Sequence, residues 1–199
     1  MNLDFLDNYW KQERVFCNKH FDALDSELMT RINSPGIPQD KIKTMYKGQK
    51  KWDIHFPAKK VAIEYKTIAT EQQTQFVLKQ QPKSPYKNLK RNIGNRIEEA
   101  MGSAIDVKHF DPDYKLGYIM VFTLQRSHNL LLPKKLTDDV TLKFDKMIKN
   151  GLYDFFCPMI TFGMGDHLQL SPKYTFDKFI NDINLIPSNN KKSLDDFFI

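Results

Sequence analysis

From Asp4 to Ile32 apolar residues recur roughly every three or four positions, at Phe5, Leu6, Tyr9, Val15, Phe16, Phe21, Leu24, Leu28 and Ile32. That spacing predicts an amphipathic helix, in one or two pieces. The run "NSPGIPQD" ends it, because two prolines and a glycine cannot continue a helix. The period then changes. In "KKWDIHFPAKKVAIEYKTI", Lys50 to Ile68, two short alternating runs flank a turn at Pro57 to Lys60. Paired about that turn, Phe56 faces Val61, Ile54 faces Ile63 and Trp52 faces Tyr65, which predicts an apolar face of six residues.

Ala69 to Lys90 is rich in Gln, Lys, Asn and Pro and reads as a long excursion, with at most a short helix of its own. A second main helix is predicted from about Leu89 to Val107, with Ile93, Ile97, Ala100, Met101, Ala104 and Ile105 on one face. "YKLGYIMVFTL", Tyr114 to Leu124, is almost continuously apolar and suits a central strand covered on both faces. Asp138 to Asp154 reads as a helix stopped by Asn150-Gly151. "FFCPMITFGMG" is a further strand, with Pro158 arguing for an edge or a bulge. The last helix, Ser171 to Ile186, opens on a Ser-Pro cap, and a polar then apolar tail follows. This order of elements implies an α/β sandwich around a mixed sheet. It forms a single domain, with a helical segment over 1–35, a core over about 45–165 and a C-terminal helix and tail over 171–199.

Composition adds bounds. With 199 residues, 41% of them hydrophobic, the chain suits a folded domain rather than a disordered one. A net charge of +6 is compatible with a polyanionic partner without requiring one. The two cysteines, Cys17 and Cys157, fall in no CxxC or zinc spacing and read as buried thiols in a reducing compartment. There is no signal-peptide pattern, and no apolar stretch approaches the ~20 residues that span a bilayer. A soluble, cytoplasmic protein without a membrane partner is expected.

The candidate chemistry lies in the hairpin. The register that makes its apolar face sets Asp53 across from Glu64 on the other face, with Lys66 two residues further along. Two close carboxylates repel unless a cation stands between them, and Asp and Glu oxygens suit Mg²⁺. With an ammonium beside them they suit phosphodiester hydrolysis. A solvated face or an ordinary salt bridge is the alternative reading of so short a motif. His55 shares the face of Asp53 by alternation and reads as a bystander. His109, His128, His167 and the glycines of "GMGDHLQL" carry no recognisable site. Lys79, Gln80, Gln81, Lys83, Lys87, Lys90, Arg91, Asn92, Asn95 and Arg96, in and after the excursion, are of types that neutralise phosphates or read base edges. They are the candidate DNA contacts, with a solvated loop as the alternative.

The pattern of Asp53, then Glu64-Tyr65-Lys66, resembles the PD-(D/E)XK nuclease superfamily, with Trp52 where a proline is common. "NRIEEAMGSAIDV", Asn95 to Val107, is similar to the helix that follows the active-site strands in XhoI-like type II restriction endonucleases. There a "WD" strand and an "ExK" strand also precede an "R-x-EEAMGSA-x-D" helix. The resemblance spans about Lys51 to Val107. It implies a restriction-endonuclease-like α/β/α sandwich with a central mixed β-sheet. It also implies a Mg²⁺-dependent homodimeric endonuclease that cuts double-stranded DNA at a short palindrome, leaves 5′-phosphates, and has a cognate DNA methyltransferase as its genetic partner. Carried over by position, Asp53 and Glu64 are metal ligands, the Tyr65 backbone carbonyl adds another, and Lys66 orients or activates the attacking water. Glu98 and Glu99 are candidates to assist from the helix, a solvated face being the alternative. A structure-specific or nonspecific repair nuclease of the same fold, or a non-catalytic DNA-binding module, remains the rival expectation.

Overall fold

The computed structural model describes residues 24–42, 52–69, 85–123, 131–161, 167–169 and 173–188. The elements are α1 (24–31), β1 (Ile37–Pro38), β2 (Ile54–Phe56), β3 (Val61–Ala69), α2 (Pro85–Phe110), β4 (Lys115–Thr123), α3 (Leu131–Lys149), β5 (Phe155–Thr161), β6 (His167–Gln169) and α4 (Phe176–Asn184). The strands form one mixed sheet in the order β1-β2-β3-β4-β5-β6. β3, β4 and β5 run parallel, and the outer pairings are antiparallel. A parallel pair needs a long crossover, and α2 and α3 supply the two.

The sheet separates two apolar layers. On one face Ala62, Leu116, Tyr118, Met120 and Phe156 pack with Ile93, Ile97, Ala100 and Ala104 of α2 and Val140, Phe144 and Met147 of α3. On the other, Ile54, Phe56, Val61, Ile63, Ile119, Val121 and Cys157 pack with Leu28 and Ile32 near α1 and Phe176, Phe179, Ile180 and Ile183 of α4. The continuous apolar run of β4 follows from this double cover, because its side chains are buried whichever way they point. Lys59, in the β2–β3 turn, is buried and donates to the Ile186 carbonyl at 2.5 Å and the Asn184 carbonyl at 3.3 Å. A lysine thus satisfies carbonyls at and just past the end of α4, where the helix dipole favours a cation.

Several expectations need revision. Trp52 lies in the α2/α3 layer, away from Ile54 and Phe56. Met101 and Ile105 of α2 are exposed, the latter by 52%. Only Ile93, Ile97, Ala100 and Ala104 of the proposed stripe meet the sheet. α2 starts at Pro85 rather than Leu89, since proline is well tolerated in a first helical turn. α3 begins at Leu131, seven residues before Asp138. It ends as expected: Gly151 has φ +70°, with Leu152 N–H bonded to Met147 O and Gly151 N–H to Ile148 O. That is the left-handed glycine cap. The last helix is capped by Thr175, whose hydroxyl accepts from Lys178 N–H at 3.1 Å, rather than by Ser171. β5 lies between β4 and β6, but β6 pairs only with Met159 to Thr161, so no described strand flanks Pro158 on that side. The proposed helical positions before Leu24, most of the excursion and the tail lie outside the described residues. No described helix is long and apolar enough to cross a membrane.

Two predictions follow from the packing. A Cβ at Gly117 would stand 2.8 Å from Phe179 Cζ and 3.4 Å from Ile63 Cγ1, inside a closed layer. Gly117→Ala is expected to cost about 1–3 kcal/mol as overpacking, read from urea unfolding, and an unchanged midpoint would refute this contact. Burial pushes the Asp145 carboxyl up, but hydrogen bonds from Lys173 and Tyr174, with the charges of Lys173 and Lys149, outweigh it and hold the group below the usual carboxylate range. A pKa lowered by folding adds stability above the ordinary carboxylate pKa and loses it as pH falls through the folded value. Asp145→Asn should therefore flatten the fall of melting temperature below about pH 5; equal slopes for variant and wild type would show that the contact contributes nothing.

Candidate active site

The β2–β3 hairpin pairs Ile54 with Ile63 and Phe56 with Val61, the register that alternation predicts. Lys60 closes the turn at φ 49°. The ladder becomes irregular at Asp53, which sits in a bend and whose N–H donates to Ile63 O at 3.0 Å. Asp53 and Ile54 thus both address Ile63, the two-against-one count of a β-bulge. The extra residue sends Trp52 to the opposite face from Ile54. Beyond the bulge Asp53 Oδ2 accepts the Tyr65 N–H at 2.8 Å. In a strand the C=O of a residue points to the same side as its N–H. The Tyr65 carbonyl therefore faces the same edge, past the end of β2.

Glu64 points the other way from Tyr65, into the α2/α3 layer, and is only 2% exposed. Lys66, 25% exposed, follows on the same face, with Nζ 3.1 Å from Glu64 Oε1. The pair is held rigidly because β3 is bonded along its length to β4, Glu64 facing Tyr118 and Lys66 facing Met120. Burial and the negative charges of Glu64, Glu99 and Asp53 push the Tyr118 phenol up, with Arg96 opposing. Tyr65 itself turns its ring to the far layer, where its hydroxyl donates to Asp25 of α1.

The sequence candidates divide accordingly. Glu64 and Lys66 pair, and Asp53 reaches the backbone N–H of Tyr65 between them rather than lying squarely opposite Glu64. His55 shares a 2.5 Å hydrogen bond with the Tyr114 hydroxyl, which places it in a structural contact. Glu98 and Glu99 are exposed on α2, and Glu99 pairs with Arg96 at 2.6 Å. Among the described residues no third Asp, Glu, His or Cys joins the two carboxylates in a metal-binding group. Lys79, Gln80, Gln81 and Lys83 lie outside the described residues. Lys87, Lys90, Arg91 and Asn92 fall in the first turns of α2, and Asn95 and Arg96 are exposed on the next. Tyr118, beside Glu64 in the ladder, reads in the sequence as one more core aromatic.

No family model, curated protein or solved structure matches this chain.

Asp53 has a structural duty separable from any chemistry. Asp53→Ala removes the acceptor of the Tyr65 N–H and should cost about 1–2 kcal/mol, whereas Asp53→Asn keeps a carbonyl oxygen there and should cost less. Denaturant midpoints would check the order wild type, Asn, Ala; identical midpoints for the two variants would refute the bond.

Proposed function

We propose that this chain is a Mg²⁺-dependent deoxyribonuclease with a restriction-endonuclease-like α/β/α fold. In this reading it is a type II restriction endonuclease, a homodimer that cuts double-stranded DNA at a short palindrome. The observation that carries the reading is the Asp53 carboxylate on the N–H of Tyr65, the residue between the paired Glu64 and Lys66, with Glu64 almost wholly buried. A carboxylate only 2% exposed is a poor choice for stability alone. Buried carboxylate oxygens suit a cation. The donors are all hard oxygens, and Mg²⁺ is commonly held by one or two carboxylates, its other positions going to water and phosphate. Asp53, Glu64 and the Tyr65 carbonyl would hold it. When bound, the ion supplies charge neutralisation at the phosphate and a more acidic water.

The protein groups have distinct tasks. Asp53 is fixed by the Tyr65 N–H, and Glu64 by Lys66. The Lys66 ammonium reaches toward solvent with N–H donors beyond the one facing Glu64, and these can meet an attacking water or a phosphate oxygen as negative charge develops. Water attacks phosphorus, the P–O3′ bond breaks, and the leaving oxygen takes a proton. The products are a 3′-hydroxyl and a 5′-phosphate. α2 supports a DNA approach to the same end of the sheet. As the crossover from β3 to β4, it starts beside their C-terminal ends, the side toward which Lys66 lies. Its first turn carries no acid, and Lys87, Lys90 and Arg91 stand where the helix dipole is already positive, an arrangement that favours a bound anion. One site per subunit and two antiparallel strands to cut favour a two-fold dimer.

Purified protein with Mg²⁺ should convert plasmid or phage DNA to discrete fragments with 5′-phosphate ends. Glu64→Ala and Lys66→Ala should each slow cleavage by at least about 10²-fold. A smear that both variants abolish would move the reading to a nonspecific or structure-specific nuclease. No cleavage by wild type with Mg²⁺ or Mn²⁺ on several DNAs would sink it.

A further inference from the structure

Tyr118 is fully buried on β4, directly beside Glu64 in the parallel ladder and on the same face of the sheet. Its ring is held firmly, 4.8 Å from Phe144 and 5.7 Å from Tyr153 in an edge contact at 88°. The neighbouring buried phenol, Tyr153, donates to the Ala100 carbonyl at 3.1 Å. The Tyr118 hydroxyl, by contrast, meets no hydrogen-bond partner among the described residues. An orphaned buried hydroxyl costs about 1–3 kcal/mol, and phenylalanine would fill the same space without that cost. The charges that act on the phenol, Glu64, Arg96, Glu99 and Asp53, come from the β2, β3 and α2 side. That is the side of the candidate active site. A phenol carries its proton at neutral pH, so the group is a standing donor in need of an acceptor.

We infer that Tyr118 is a positioning residue of this site: its hydroxyl donates to a buried water that hydrogen-bonds in turn to the Glu64 carboxylate and fixes its orientation. A direct bond to Glu64 is not made, and one water is the natural bridge between two buried polar groups on neighbouring strands. With Lys66 on one side and this water on the other, Glu64 would be oriented from two directions. Metal-ligating side chains commonly need such support, and losing it costs about 10–100-fold in metal affinity or activity. The catalytic consequence rests on the nuclease reading; the water does not.

Tyr118→Phe deletes one oxygen and keeps the ring contacts. A high-resolution crystal structure of the wild type should show an ordered water within about 3.2 Å of Tyr118 Oη and of a Glu64 carboxylate oxygen. The absence of such a water overturns the inference whatever the enzyme does. The variant should melt within about 2 °C of wild type. The Mg²⁺ concentration at the midpoint of its thermal stabilisation should rise about tenfold, with a matching loss in kcat and an unchanged KM for DNA. A water in place with an unmoved Mg²⁺ midpoint and unmoved kcat overturns the positioning role. A wild type that neither cuts DNA nor responds to Mg²⁺ overturns the nuclease reading instead, and the crystal structure then decides the bridge by itself.

Discussion

The hydrogen bond from the Tyr65 N–H to Asp53 Oδ2 stands where the backbone ladder between β2 and β3 gives out. A buried strand edge needs its N–H groups answered, and at this point a side chain does so in place of a neighbouring strand. The bond has three effects together. It holds the bulged end of β2 against β3. It fixes the Asp53 carboxylate at the position after Glu64. It also leaves the Tyr65 carbonyl facing an edge that no described strand covers. The strict alternation of β3 then separates duties by face: Glu64 and Lys66 enter the α2/α3 layer, while the Tyr65 ring crosses to α1 and bonds Asp25.

The layers make that separation possible. β3 is locked into parallel pairing with β4 from Val61 to Ala69, so none of its charged residues can rotate away without breaking the ladder. Lys59 ties the hairpin turn to the end of α4, and Lys60 ties it to Asp111 beyond α2. The hairpin is thus clamped to helices of both layers within two residues. Asp154 gathers Lys108, Lys115 and the Leu116 N–H at the start of β4, which anchors the N-terminal end of the same strand pair. The candidate site accordingly rests on rigid elements, as a constellation that must hold groups in fixed geometry requires.

The buried polar groups run against what packing alone would choose. A wholly apolar layer between the sheet and α2 would be the simpler solution, yet Glu64 and the Tyr118 hydroxyl are sunk into it. Local violations of the rules of a stable core concentrate where a protein does chemistry. In this layer they fall side by side on adjacent strands.

Much of the hairpin was legible from alternation. The pairs Ile54–Ile63 and Phe56–Val61, the turn at Pro57 to Lys60 and the shared face of Glu64 and Lys66 all follow from a period of two about a short turn. Helix stops were legible for the same local reason, as at Gly151, where a left-handed cap needs glycine. The errors have separate sources. Trp52 changed face because alternation assumes an unbroken ladder, and a bulge is decided by what the partner strand offers. Met101 and Ile105 stayed exposed because periodicity marks an apolar stripe without saying how wide a strip the sheet will cover. Tyr118 carried no signal at all within "YKLGYIMVFTL". Its neighbourhood to Glu64 exists only because β4 pairs parallel with β3 at one register, fifty-four residues away in the chain. The sequence by itself determined the hairpin register and the shared face of Glu64 and Lys66, since these depend on near neighbours. Which buried groups stand beside that pair was decided by tertiary structure, because long-range register follows from the packing of the whole sheet between its helices.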